Sequence, residues 1–221
     1  MQFGTQFKLK VMKETNEMNM KEDSTPERIY AFSDGVFAII ITIMILELKK
    51  PDEPTFAALG HLWPTWISYA ASYTFIAIVW INHHYLLRHA KAATLKLMWA
   101  NFAHLFTVSL IPFLTEWVAD TKLQPVPVIM YAFAFSLVNS TYLWLVWETL
   151  CNKKDKSGPD VAHRLLHMRS FTTLGVFCIA MIISYWLPRV GFGLIVCCLL
   201  LYLVPEMPKL KDRKPNTKQT H

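Results

Sequence analysis

Residues 28–48 read RIYAFSDGVFAIIITIMILEL, and the character of this stretch decides the fold. A cation (Arg28) is followed by a polar knot (Ser33, Asp34, Gly35) and then by an apolar run from Val36 to Leu46, broken only by Thr42. At a rise of about 1.5 Å per residue, some 20 helical residues cross a bilayer core of about 30 Å. A soluble core helix could share this pattern, so the rest of the chain has to choose. It chooses the membrane: 53% of residues are hydrophobic and 17% are charged, against about 25% charged in soluble domains.

The charges also cluster, leaving candidate spans at 32–48, 63–87, 97–118, 125–150, 170–187 and 190–204. Six spans in 221 residues leave little chain for a soluble domain. The expected fold is therefore all-α, a polytopic membrane protein with six transmembrane helices. Residues 1–27 lack the apolar core and small-residue cleavage site of a signal peptide and read as a polar cytoplasmic lead-in. Residues 28–205 form the membrane domain, and 206–221 read as a basic cytoplasmic tail.

Lysine and arginine set the orientation. With both termini cytoplasmic, eighteen basic residues fall inside and four (Lys49, Lys50, Lys122, Arg189) outside, as the positive-inside rule requires of an even number of spans. The surplus of positive charge is thus a topology signal, and no nucleic-acid partner is implied. Cys151, Cys178, Cys197 and Cys198 show no metal spacing and no disulfide framework. Pro112 predicts a break near the outer end of the third span.

On a wheel turning about 100° per residue, with Ile39 at 0°, Ile43 falls near 40° and Leu46 near −20°. Phe32 (about 20°) and Val36 (about 60°) extend this stripe, while Asp34 lies near −140°. By periodicity alone the stripe is ordinary lipid-facing or core packing. Asp34 is more informative, because a carboxylate within a span pairs or lines a wet cavity. Topology brings Asn82, His83 and His84 (span two) and Asn101 and His104 (span three) to its depth, with Trp80 as an indole donor. This layer reads either as a hydrogen-bonded clasp fixing span one or as a proton relay. The clasp is favoured, since polar side chains commonly join membrane helices. A metal site is disfavoured: His83 and His84 are adjacent and diverge, and His163 and His167 lie in a basic loop without a carboxylate constellation. No nucleophile triad or phosphate loop suggests an enzyme.

Arg28-x-x-x-Phe32-Ser33-Asp34-Gly35, with Ala38-Ile39 and Leu46-Glu47 beyond it, resembles the first-span signature of the transmembrane protein 175 family of potassium channels. The similarity continues through Trp80-x-x-His83-His84, Trp99-x-Asn101 and Leu110-x-Pro112-Phe113; spans four to six match in hydropathy and length alone. The resemblance implies a potassium-permeable channel without enzymatic activity or cofactor, in the plasma (inner) membrane of a prokaryote. It implies a symmetric homotetramer whose pore is lined by the first helix, surrounded by lipid and passing potassium and other monovalent cations. It also implies a constriction at Ile39, Ile43 and Leu46, flanked by Val36 and Thr42. Arg28, Ser33, Asp34, Trp80, His83, His84 and Asn101 become a structural polar network. The alternative is a proton-conducting channel or proton-coupled transporter using the Asp34/His84 layer.

Overall fold

A computed structural model describes residues 26–88, 90, 93–151 and 160–202. The expectations for the polar lead-in, the basic tail and the centre of the loop after Cys151 therefore lie outside the described residues. Within them the chain is helical and contains no strand. Helix α1 (Pro26–Met44) closes in a 3-10 turn, Ile45–Glu47. It is followed by a short α2 (Phe56–His61), α3 (Trp63–Leu87), α4 (Leu95–Ser109) and α5 (Ile111–Asp120). The chain continues through α6 (Pro125–Cys151), α7 (Asp160–Ser184) and α8 (Pro188–Tyr202).

Among the described residues, Glu27–Glu47, Leu95–Asp120 and Pro125–Thr149 are long and apolar enough to cross a membrane. The 25 residues of α3 reach about 37 Å, longer than a bilayer core, but polar side chains dilute their hydropathy. Helix α8 has 15 described residues, about 22 Å.

Two boundaries differ from the sequence reading, and a third, the break at Pro112, follows it. The loop after Glu47 folds one extra helix, α2, because Thr55 accepts a hydrogen bond from Ala58 N at 3.1 Å and so caps it. The loop expected to reach His167 ends at Asp160, so His163 and His167 belong to α7 and not to a loop. The third span is two helices: α4 stops at Ser109, and Pro112 occupies the first turn of α5, where a missing amide costs nothing.

Helix α6 is the hub, packing against α4, α5, α7 and α8. Aromatic rings fill its core side. Phe75 of α3 stacks on Phe135 of α6 at 3.8 Å between centroids, and Phe177 of α7 meets Phe135 edge-on at 5.5 Å. Ser and Thr hydroxyls inside the helices return their protons to the preceding turn, as in Ser136 to Ala132 O and Ser184 to Ala180 O. Such residues therefore enter an apolar bundle without stranding a donor. Helix α1 lies on one flank, packed between α3 and the α4–α5 rod.

Candidate functional site: a polar clasp behind an apolar face

Helix α1 is sorted by side. Ser33, Phe37, Ile40 and Met44 are buried against the protomer, a spacing of four, three and four residues that keeps them on one helical face. Ile39, Ile43 and Leu46 project from the opposite side, with Leu46 the most open at 76% exposure. Ile39 and Ile43 line an open groove of ≈ 520 Å³ that α1 shares with Pro112 and Phe113 of α5. Val36 lines it too, half-buried, while Thr42 is exposed. The Thr42 hydroxyl lies 3.0 Å from Ala38 O and 2.9 Å from Ile39 O, so its proton is held by the helix and its oxygen keeps lone pairs outward.

The N-terminal part of α1 is held by two separate polar groups, where the sequence suggested one continuous layer. The first is buried. His83 Nε2 donates to Asn101 Oδ1 at 2.7 Å, and Asn101 Nδ2 donates to Ser33 Oγ at 3.0 Å. Ser33 Oγ donates in turn to Ile29 O at 2.8 Å. With the Asn101 oxygen toward His83 the imidazole nitrogen is the donor, and Ser33 Oγ also lies 3.3 Å from Asn101 Oδ1. His104 lies stacked on His83 at 5.6 Å and 8°, with Nδ1 3.1 Å from Thr141 Oγ1. Its Nε2 is buried without a hydrogen-bond partner among the described residues.

The second group is open. Trp80 Nε1 donates to Asp34 Oδ1 at 2.8 Å, and His84 Nδ1 stands 3.9 Å from Asp34 Oδ2. The latter distance is an ion pair when the ring is protonated and too long for a hydrogen bond. The Asp34 and His84 side chains are 41% and 43% exposed. Arg28 lies exposed in the first turn of α1. Asn82 does not join either group, since its side chain turns to a crevice shared with α6, α7 and α8. It sits about 100° from its neighbour His83, so one of the two must face away.

Three contacts escaped the sequence reading. Tyr30 OH donates to Leu87 O, tying the start of α1 to the end of α3; Tyr30 falls one helical turn before Asp34, on the clasp side, and that register was its signal. Ser72 Oγ meets both Thr115 Oγ1 and Tyr131 OH at 2.6 Å, a buried hydroxyl knot joining α3, α5 and α6. Beyond the C-terminal end of α1, Lys49 pairs with Asp120 at 2.8 Å and Glu116 at 3.2 Å. These carboxylates, Asp120 foremost through its hydrogen bond, raise the Lys49 ammonium above its ordinary value of 10.5. Among the described residues no three His, Cys, Asp or Glu side chains gather as a metal site.

An all-helical bundle with large apolar side chains on its outer faces, most buried polar groups hydrogen-bonded and three stretches long and apolar enough to cross a membrane among the described residues defines a helical membrane protein. Comparison with known proteins narrows the class. The profile of the family described as "Endosomal/lysosomal potassium channel TMEM175" matches residues 28–112. A potassium channel of Chryseobacterium sp. (strain P1-3) is 31% identical over 195 residues, covering 87% of this chain and 100% of that one. A potassium channel of Chamaesiphon minutus is 30% identical over 181 residues, 75% of this chain and 89% of the relative. The bovine "Endosomal/lysosomal proton channel TMEM175" is 27% identical over 59% of this chain, which spans 30% of its length. The crystal structure of a lysosomal potassium-selective channel TMEM175 homolog from Chamaesiphon minutus superimposes with a TM-score of 0.68. That match covers 80% of this chain and 96% of the other at 23% identity, which is a likeness of fold. This chain belongs to the TMEM175 family, a family of ion channels and not of enzymes.

Proposed function

We propose that this protein is a potassium-permeable channel of a prokaryotic inner membrane, formed by four copies around an axis lined by α1. Six spans with both termini cytoplasmic make up residues 28–205 of each copy, with 1–27 and 206–221 as cytoplasmic extensions. The observation that carries the reading is the two-sidedness of α1: Ile39, Ile43 and Leu46 are open in the protomer while Ser33, Phe37, Ile40 and Met44 are buried. A membrane helix packed on one side and bulky on the other suits a ring, because one helix per copy encloses a pathway only under cyclic symmetry.

Rings of branched side chains at Ile39, Ile43 and Leu46 then form a hydrophobic constriction that closes by dewetting. An ion passing it sheds part of its hydration shell, which costs less for potassium than for sodium. Thr42, flanking the rings as Val36 does, offers its outward lone pairs to the passing cation. The polar network of Arg28, Ser33, Asp34, Trp80, His83, His84 and Asn101 acts as the clasp that sets how α1 stands. The lipid bilayer, further copies of the chain and monovalent cations are its partners, and no cofactor enters. Purified protein in liposomes tests this: potassium efflux without valinomycin is expected, and its absence ends the channel reading.

Proton permeation through the Asp34/His84 group is the second reading, favoured by the animal relatives named proton channels and by the open 3.9 Å pair. Against it stands Asn101, an amide that interrupts any proton path from Asp34's layer into the buried line. A reversal potential that follows the proton gradient in place of the potassium gradient, and that is lost in His84→Ala, would favour protons.

A further inference from the structure

We propose that α2 is an interfacial lipid anchor: Phe56 and Leu59 enter the boundary between headgroups and acyl chains, continuing the lipid-facing side of α3 beyond its first turn. The inference goes beyond the channel reading and requires only that α3 crosses the membrane.

None of the six residues of α2 is buried, although the helix is capped and packs against α3. Its side chains are nevertheless sorted. On a wheel of about 100° per residue with Phe56 at 0°, Ala58 falls near −160°, and it alone in α2 is half-buried. Phe56 and Leu59 (near −60°) therefore point away from the bundle, with Phe56 94% exposed. Leu62 breaks the helix at φ −84° and ψ 14°, and Pro64 then opens α3 without an amide to offer the preceding turn. Carried across that break, the arc from about −80° to about 20° takes in Trp63, Trp66 and Ile67, all exposed. Ser68 (near 120°) and Ser72 (near 160°) are buried. One apolar stripe thus runs from α2 onto α3.

Lipid is the occupant that depth and charge select. The 25 residues of α3 reach about 37 Å against a core of about 30 Å, so its first turn stands in the interfacial zone and α2 begins there. Trp63 and Trp66 occupy that turn, and the interface favours indole, which offers an apolar body to the chains and an N–H to the headgroups. Helix α2 itself carries no lysine, arginine or carboxylate, so an uncharged lipid surface matches it and a charged partner does not. The other flank fits the same placement: Ala57, near 100°, and His61, near 140°, stand on the side away from Phe56 and Leu59.

Power-saturation electron paramagnetic resonance tests this with a nitroxide on single cysteines. The full chain is reconstituted in phosphatidylcholine vesicles with Cys151, Cys178, Cys197 and Cys198 replaced by Ala. The ratio of collision with oxygen to collision with a water-soluble nickel chelate should be about threefold higher at Phe56→Cys and Leu59→Cys than at Ala57→Cys and His61→Cys. A nickel-dominated signal at all four positions places α2 in water and overturns the anchor. Low collision with both reagents at positions 56 and 59 means that protein, a second copy foremost, covers the stripe, and overturns it equally. Phe56→Glu should lower the oxygen-to-nickel ratio of the Leu59→Cys label about threefold, and an unchanged ratio overturns the part assigned to Phe56. Potassium flux plays no part in these readouts, so they stand or fall apart from the channel reading.

Discussion

The indole Nε1 of Trp80 donates to Asp34 Oδ1 across the α1–α3 contact at 2.8 Å, so the acid of the first helix is turned toward its own protomer, away from the Ile39–Ile43–Leu46 face. Trp80→Phe keeps the ring and removes the donor. A charge-assisted bond contributes about 1.5–3 kcal/mol when buried, and at this exposure about 1 kcal/mol is expected. Thermal unfolding in detergent should show that loss, while the reversal potential under a potassium–sodium gradient stays where it was. A shifted reversal potential would place Asp34 in the ion path instead.

Asn101→Leu leaves His83 Nε2 without its acceptor and Ser33 Oγ without its donor, while the Ser33 proton stays with Ile29 O, in a region where water does not replace the lost partner. The cost should be about 2–3 kcal/mol. Chemical unfolding measures it, and Asn101→Leu should be worse than Trp80→Phe because its orphans are buried. Equal or smaller cost would show that the buried line does not hold α1.

Ile40 and Ile43 are one turn apart in composition and opposite in fate. Ile40→Ala opens a hole in the packed core and should cost about 2–5 kcal/mol. Ile43→Ala touches the open side, so the melting temperature should hold while potassium flux rises several-fold as the constriction widens. If Ile43→Ala leaves flux unchanged, α1 presents some other face to the ion.

Gly191 opens α8 where it crosses α7. A Cβ at this position would collide with Ser184 Oγ and sit 2.9 Å from Ala180 O. Gly191→Ala should therefore destabilise by about 1–3 kcal/mol, the usual cost of overpacking. Ser184→Ala in that background should recover part of the loss, since the carbonyl clash persists. Full recovery would mean that the hydroxyl alone sets the approach.

The Lys49 tie has a definite pH sign. A cation whose folded value is raised contributes fully below its ordinary 10.5 and loses that contribution as pH rises through the shifted value. The melting-temperature gap between wild type and Lys49→Gln should stay constant from neutral pH to about pH 10 and close above it. A gap that closes nearer neutrality would put another group in charge of that end of α1.

Membrane character, the Pro112 break and the two-sided first helix were legible because each rests on local chemistry. Apolar length, a missing amide and a period near 3.6 residues need no knowledge of neighbours. The clasp was legible in outline, since topology alone brings Asp34, Trp80, His83 and Asn101 to one depth. Its division into a buried and an open group was not, because a depth argument carries no azimuth. Asn82 shows the limit: it shares the level of His83 and faces another crevice. The Ser72–Thr115–Tyr131 knot was hidden for a similar reason, as three ordinary hydroxyls on three helices announce nothing until packing joins them. Helix α2 depended on one cap at Thr55 in a stretch too short to show periodicity.

Helix α1 is fastened near its start by Tyr30, Ser33 and Asp34 and beyond its end by Lys49, with only greasy packing of Phe37, Ile40 and Met44 between. A rod pinned at both tips and lubricated along its middle responds to force as a bowstring does. Its largest excursion falls at mid-length, in the turn that carries Ile39 and Ile43, the side chains proposed above to narrow the ion path.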